Sequence, residues 1–209
     1  VVVGLIFTLM FTVIALSIER YFALRTAFGK GSLTKFVQEV KAAVKANDFA
    51  KARALCDKQQ GSVANVVLAS VNTYSEMENT TGIKKSQKVA KIQQAHEEAT
   101  QLEMPTLQMN LPIIATIVTL GTLTALFGTV LGMIGSFQAL AAGGGGDSLA
   151  LSMGISEALV NTASGIATSW VAVVAYNTYT NKIDKLTYAL DEVGYTIAQT
   201  YEANHTEEA

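Results

Sequence analysis

The chain alternates between long apolar runs and one extended polar stretch. Residues 1–18 carry no charged side chain, and neither do residues 104–146, a run of 43 between Glu103 and Asp147. Residues 148–181 hold a single charge, Glu157. A charge at the centre of a bilayer costs roughly 2.5–3.5 kcal/mol on insertion scales, so a hydrocarbon layer enforces gaps that water does not. The pattern predicts an all-α integral membrane protein with three transmembrane helices. The first covers residues 1–18, roughly 27 Å at 1.5 Å per residue, and ends in Glu19-Arg20-Tyr21-Phe22, charges and aromatics that suit a membrane interface. The chain opens inside this run, with no initiator Met and no basic stretch before it, and is read as starting within a trimmed first helix rather than a signal peptide. The second span covers residues 111–142, longer than the bilayer needs, so tilt or projection is expected. A turn over residues 143–151, opening on Gly143-Gly144-Gly145-Gly146-Asp147, leads to the third span at 152–180.

Between the first two spans, residues 19–110 read as a helical domain without strands of note. Phe36, Val40 and Val44 share one helical face, as do Phe49, Ala52 and Leu55, and Val63, Val66, Val67, Ser70, Val71 and Tyr74 continue the pattern. Breaks are expected at Gly29-Lys30-Gly31, near Asn47-Asp48, at Gln60-Gly61-Ser62 and at Asn79-Thr80-Thr81-Gly82. From Lys84 a charged helix is predicted to run on into the second span, with Pro105 and Pro112 as kinks. Residues 181–209 form a helix and tail, in which Ile183, Leu186, Leu190, Val193 and Ile197 keep a helical period and the stretch from His205 frays.

Charge then sets orientation. Thirteen of the fifteen Lys and Arg lie between residues 19 and 103, the other two, Lys182 and Lys185, follow the third span, and the glycine turn has none. Positive residues stay cytoplasmic, so the N-terminus and the turn are expected outside, the 19–110 domain and C-terminal tail inside. A net charge of −2 offers no basic field for nucleic acid. The single cysteine, Cys56, excludes an intramolecular disulfide and a Cys-based metal cluster and reads as a small packing residue. No cofactor or metal ligand set is expected.

The chemistry lies inside the spans. Thr122, Thr129 and Ser136 recur every seven residues, drifting only about 20° per step, with Gly121, Gly128 and Gly135 beside them and Gly132 four after Gly128. Small residues let membrane helices approach closely, and stacked hydroxyls suit a lined interface or pore. In the third span, Asn161, Ser164 and Thr168 fall within about 40° of Glu157 on a wheel of 100° per residue, and Thr162 about 140° away. Intramembrane carboxylates face bundle interiors or water paths and often relay protons. An enzyme is not expected. Thr162-Ala163-Ser164-Gly165 resembles the Gly-x-Ser-Gly of a rhomboid-type protease, but Thr162 replaces its first glycine and no histidine base lies within a span. His96 and His205 read as solvated helix-surface residues. The rival class is a structural membrane scaffold that oligomerises through its glycines and conducts nothing, for which an intramembrane Glu157 has no use.

Leu126-Phe127-Gly128-Thr129-Val130-Leu131-Gly132-Met133-Ile134 resembles the second-span signature of the MotA/TolQ/ExbB proton channel family. Gly154-Ile155-Ser156-Glu157-Ala158-Leu159, then Thr162-Ala163 and Ala175-Tyr176-Asn177, resemble its third-span signature. Three spans favour the ExbB/TolQ branch over the four-span flagellar branch. Leu131 stands where the family usually has tryptophan and Asn161 where it has alanine, and an alanine-proline pair is absent. The resemblance implies a bacterial inner-membrane motor subunit, a homo-oligomer of about five copies enclosing a single-span ExbD- or TolR-like partner with an intramembrane aspartate. It implies force delivered to a TonB- or TolA-like envelope protein, with outer-membrane transport as the expected output. On the family motifs, Thr129, Glu157 and Thr162 take pore-lining positions.

Overall fold

The computed structural model describes residues 2–142 and 148–205, so of the turn expected at 143–151 the part 143–147 lies outside the described residues, and residues 148–151 are corrected to the first turn of the last helix. Among the described residues the chain is helical throughout, without a strand: α1 Val2–Ala27, α2 Leu33–Lys45, α3 Phe49–Gln59, α4 Gly61–Asn79, α5 Lys85–Gln108, α6 Leu111–Ala142 and α7 Ser148–Asn204. All four expected breaks between Gly29 and Gly82 separate helices. The helices distribute into two compact units, Val1–Arg20 with Asn110–Thr180, and Tyr21–Met109 with Asn181–Ala209.

The unit of Tyr21–Met109 and Asn181–Ala209 has an ordinary amphipathic core. Phe36, Val40 and Val44 of α2, Val63, Val66, Val67, Val71 and Tyr74 of α4, and Ile183, Leu186, Leu190, Val193 and Ile197 of α7 are all buried. Each such side chain removed from water contributes about 1.5–3 kcal/mol. Asp48 caps α3 by accepting from Lys51 N at 3.0 Å. Gly61, at φ +83°, allows the α3–α4 turn to meet the end of α1, since a Cβ there would lie 2.6 Å from Ala27 O. Tyr201 OH donates to Met77 O at 3.2 Å, and Lys41 pairs with Glu192 at 2.6 Å, tying α7 to α4 and α2.

Two expectations about histidine fail. His96 is buried between α4 and α7: Ser70 Oγ bonds its Nδ1 at 2.9 Å, and the ring lies against Gly194, where a Cβ would be 2.5 Å away. Burial lowers its pKa below the usual histidine value, opposed by the negative charges of Asp191 and Glu97. His205 is half-buried and stacks on Tyr201 at 4.2 Å between ring centroids.

Cys56 is buried, and burial followed by the charge of Asp57 pushes its thiol up to about 12. The thiolate is the nucleophile, so native Cys56 should resist maleimide near neutral pH and react only after denaturation in SDS. Single cysteines at exposed sites, Ser148→Cys and Lys84→Cys, then report topology against a silent background. Impermeant maleimide on intact cells should reach the first and not the second; the reverse result inverts the orientation inferred from Lys and Arg.

In the unit of Val1–Arg20 and Asn110–Thr180, the apolar parts of α1, α6 and α7 are each long enough to cross a membrane. The predicted continuous run from Lys84 into the second span is corrected. α5 stops at Gln108, and Asn110 adopts the left-handed φ of 64° before α6 begins. Pro112 therefore falls in the first turn of α6, where a missing N–H leaves no bond unmade, and kinks nothing. Pro105 does lie inside α5. At the end of the α1 segment Arg20 is 2% exposed and ion-paired with Glu19, which also accepts from Asn110 Nδ2 at 3.1 Å. Tyr179 OH donates to Ser17 O at 2.6 Å, so polar bonds join α1 to α7 and to the residue that precedes α6.

Candidate functional site

α6 and α7 form an antiparallel pair through small residues. On α6 the buried line Gly121, Ala125, Gly128 and Ser136 advances by whole turns, and on α7 Ala158, Asn161, Gly165, Thr168 and Ala172 do the same. A Cβ on Gly121 would stand 2.6 Å from Ser169 Oγ and 3.2 Å from Gly165 O, and one on Gly132 3.2 Å from Ala158 Cβ. One on Gly165 would meet the Ala125 side chain and, at 2.6 Å, Gly121 O. The backbones thus approach as closely as small residues allow. Gly135 differs: among the described residues nothing lies within 4 Å of its Cβ position.

In the middle of this seam the hydroxyls of Thr129 and Thr162 are 2.5 Å apart. Thr129 Oγ1 also lies 3.0 Å from Ala125 O and 3.3 Å from Ala158 O, and Thr162 Oγ1 3.2 Å from Ala158 O. Each hydroxyl carries one proton and can both donate and accept, so the pair can exchange donor and acceptor roles without holding net charge.

Glu157 occupies a different place. Its exposed side chain borders a cavity of about 330 Å³ together with Gly132, Gly135, Ser136, Gly154 and Asn161, and neither Thr129 nor Thr162 lines it. Asn161 is 3% exposed, its amide held against Gly128, and its Oδ1 accepts no bond among the described residues. An unsatisfied buried carbonyl costs about 1–3 kcal/mol, and this one borders the same cavity as the carboxylate. Ser136 Oγ donates to Gly132 O at 2.8 Å beside Gly154.

The remaining positions of the expected polar track are more local. Thr168 is fully buried and donates to Ser164 O at 2.9 Å, while Ser164 itself is half-buried. Thr122 is exposed and bonds Thr119 O at 2.9 Å on its own helix. Three features escaped the sequence reading. Ser169 is buried with an unpartnered Oγ, and Gly154 and Gly165 supply the α7 half of the seam. The signal for the last was present as a small-residue repeat, Gly154, Ala158, Asn161, Gly165 and Thr168, at spacings of four and three. Among the described residues no group of three His, Cys, Asp or Glu converges to hold a metal ion.

Three long apolar helices, two of them joined by a small-residue seam, make this a multi-pass membrane protein. Residues 60–192 match the model of the MotA/TolQ/ExbB proton channel family, and the chain belongs to that family. It is 29% identical over 143 residues to the Tol-Pal system protein TolQ of Pseudomonas aeruginosa, covering 68% of this chain and 59% of that protein. It is 34% identical over 87 residues to a putative biopolymer transport protein, ExbB-like 3, of Synechocystis, 41% of each chain. TolQ of Haemophilus influenzae is 32% identical over 84 residues, 40% of this chain and 37% of that protein. These likenesses put the chain in the ExbB/TolQ branch, and each match spans less than two thirds of the relative's length.

Proposed function

We propose that the chain is an ExbB/TolQ-like subunit of an inner-membrane proton channel and motor, converting proton motive force into mechanical work on envelope partners. The observation that carries this reading is the Thr129–Thr162 hydroxyl pair in the α6–α7 seam of a proton-channel family member whose third span holds one carboxylate, Glu157. About five copies surround the single-span helix of an ExbD- or TolR-like protein carrying an intramembrane aspartate. A TonB- or TolA-like protein takes up the force, with outer-membrane transport as the output. The N-terminus faces the periplasm and the C-terminal tail the cytoplasm. One elementary charge crossing 100 mV releases about 2.3 kcal/mol, enough to bias a packed bundle between discrete arrangements. Glu157 and Asn161 border a polar cavity through which protons reach the seam, and Thr129 and Thr162 pass them on by exchanging donor and acceptor roles. Gly121, Gly128 and Gly132 hold the two helices at the distance this exchange needs, and Gly135 faces another chain.

Thr129→Val and Thr162→Val keep the shape and delete a hydroxyl each, so stability should change by only about 1 kcal/mol per bond. Proton flux, measured in proteoliposomes containing the partner protein, should fall by about tenfold or more, equal to at least ~1.4 kcal/mol on the barrier. Ser152→Ala, at an exposed position before the seam, should conduct like the parent. Parental flux in both valine variants would assign the hydroxyl pair to packing alone.

A further inference from the structure

The unit of Tyr21–Met109 and Asn181–Ala209 contains an open cavity of about 960 Å³ to which proton conduction gives no task. Arg25, Lys30, Lys182 and Lys185 line it, and among the described residues no acidic side chain does. Asp184, although it lies between two of these lysines in sequence, is not part of the wall. Arg25, Lys30 and Lys185 place three positive charges on one wall, where they repel one another, and an anion among them relieves that repulsion.

The wall is built rather than incidental. Lys30 N donates to Gln59 O at 2.6 Å, and Gln59 Nε2 donates to Phe28 O at 2.7 Å, so the loop that carries Lys30 is bonded to the end of α3. Gly29, at φ +75°, and Gly61 permit the two chain segments to cross in contact. The ammonium of Lys182 stands 5.7 Å from the centre of the Tyr21 ring, which leaves an aromatic surface beside the charge.

Sequence position tells what kind of anion meets this wall. Tyr21 and Arg25 follow the first apolar run, and Lys182 and Lys185 follow the third, so the cavity is assembled from the residues that leave the bilayer. Basic pockets at the cytoplasmic ends of spans meet phosphate headgroups, each Lys or Arg adding to the attraction for anionic lipid. We propose that this cavity binds a phosphate-bearing anion, with the phosphodiester headgroup of an anionic membrane lipid as the ligand.

The test uses the purified full chain in detergent, with thermal unfolding and native mass spectrometry after adding phosphatidylglycerol, phosphatidylcholine or inorganic phosphate. Phosphatidylglycerol should bind and raise the melting temperature, and phosphatidylcholine should do neither. The triple variant Arg25→Gln, Lys30→Gln, Lys185→Gln should bind phosphatidylglycerol about tenfold more weakly or worse. Lys51→Gln, Lys84→Gln, Lys91→Gln removes the same charge from exposed positions off the cavity and should bind like the parent. Parental binding by the first triple variant, or equal loss in both, overturns the proposal. Inorganic phosphate that protects as well as the lipid, and only with the cavity residues intact, overturns the lipid assignment in favour of a soluble phosphate. If the triple variant does not fold, Lys30→Gln and Lys185→Gln singly, both at exposed side chains, carry the same comparison.

Discussion

Gly165→Leu is expected to abolish the folded subunit, the largest structural effect of any single substitution in the spans. A Cβ at Gly165 already meets the Ala125 side chain and stands 2.6 Å from Gly121 O, and a backbone carbonyl inside a helix has nowhere to move. Overpacking a core by a few methylenes costs about 1–3 kcal/mol where side chains can yield; here the two helices must separate along their whole seam. Detergent-solubilised Gly165→Leu should give aggregated material on size-exclusion chromatography and rapid digestion of the α6–α7 region by proteinase K. Gly135→Leu is the informative contrast, because among the described residues its Cβ meets nothing within 4 Å. It should fold as a subunit and lose only assembly, if Gly135 faces another copy. A Gly165→Leu protein that remains monodisperse and protease-resistant would show that α6 and α7 do not depend on this approach.

That contrast also marks how far the sequence alone could be read. The helices of the polar part were legible because their apolar positions repeat every three or four residues, as at Phe36, Val40 and Val44, and their ends coincide with Gly or Asn-Asp breaks. The spans were legible because charge is absent from them. Within a span that signal vanishes, since apolar side chains cover both the packed and the lipid-facing sides: Leu126, Phe127 and Ile134 are exposed on α6 while Gly121 and Gly128 are buried. Only small residues then mark the packed face. On α7 that stripe contains Asn161 and Thr168, so it read as a polar track instead of a seam.

The pairing of Thr129 with Thr162 required knowing which turn of α6 meets which turn of α7, and a wheel for one helix carries no such register. His96 was misread for a related reason. Its helix is rich in charge, and the cue to its burial is a glycine about a hundred residues away, Gly194, whose missing side chain makes room for the ring. The helix end at Asn110 was hidden by Pro112, which suggests a kink when met inside a run and an N-terminal turn only once the left-handed residue before it is seen.

Glu157→Leu is expected to abolish proton-coupled activity while leaving the subunit folded. The carboxylate is the single charge of residues 148–181, and no Lys or Arg in that stretch neutralises it. Among the described residues nothing hydrogen-bonds or ion-pairs with it, so its removal breaks no such bond among them. A carboxylate in a bilayer costs several kcal/mol unless it is hydrated, protonated or paired with another chain. Packing alone is therefore served better by leucine, and blue-native gels should show assembly equal to or stronger than the parent's. Energy-dependent uptake in cells, and proton flux in proteoliposomes with the partner, should both fall to background. Glu157→Asp keeps the charge with a shorter reach and should retain part of the activity. Glu157→Gln separates the two chemical roles, because it preserves hydrogen bonding beside Asn161 and Ser136 but cannot exchange a proton near neutral pH. Loss in Glu157→Gln assigns the role to charge or proton exchange, and retention assigns it to hydrogen bonding alone. Should Glu157→Leu assemble and energise transport like the parent, the carboxylate has no part in energy conversion, and a non-conducting scaffold held together by its glycine faces becomes the better account of the protein.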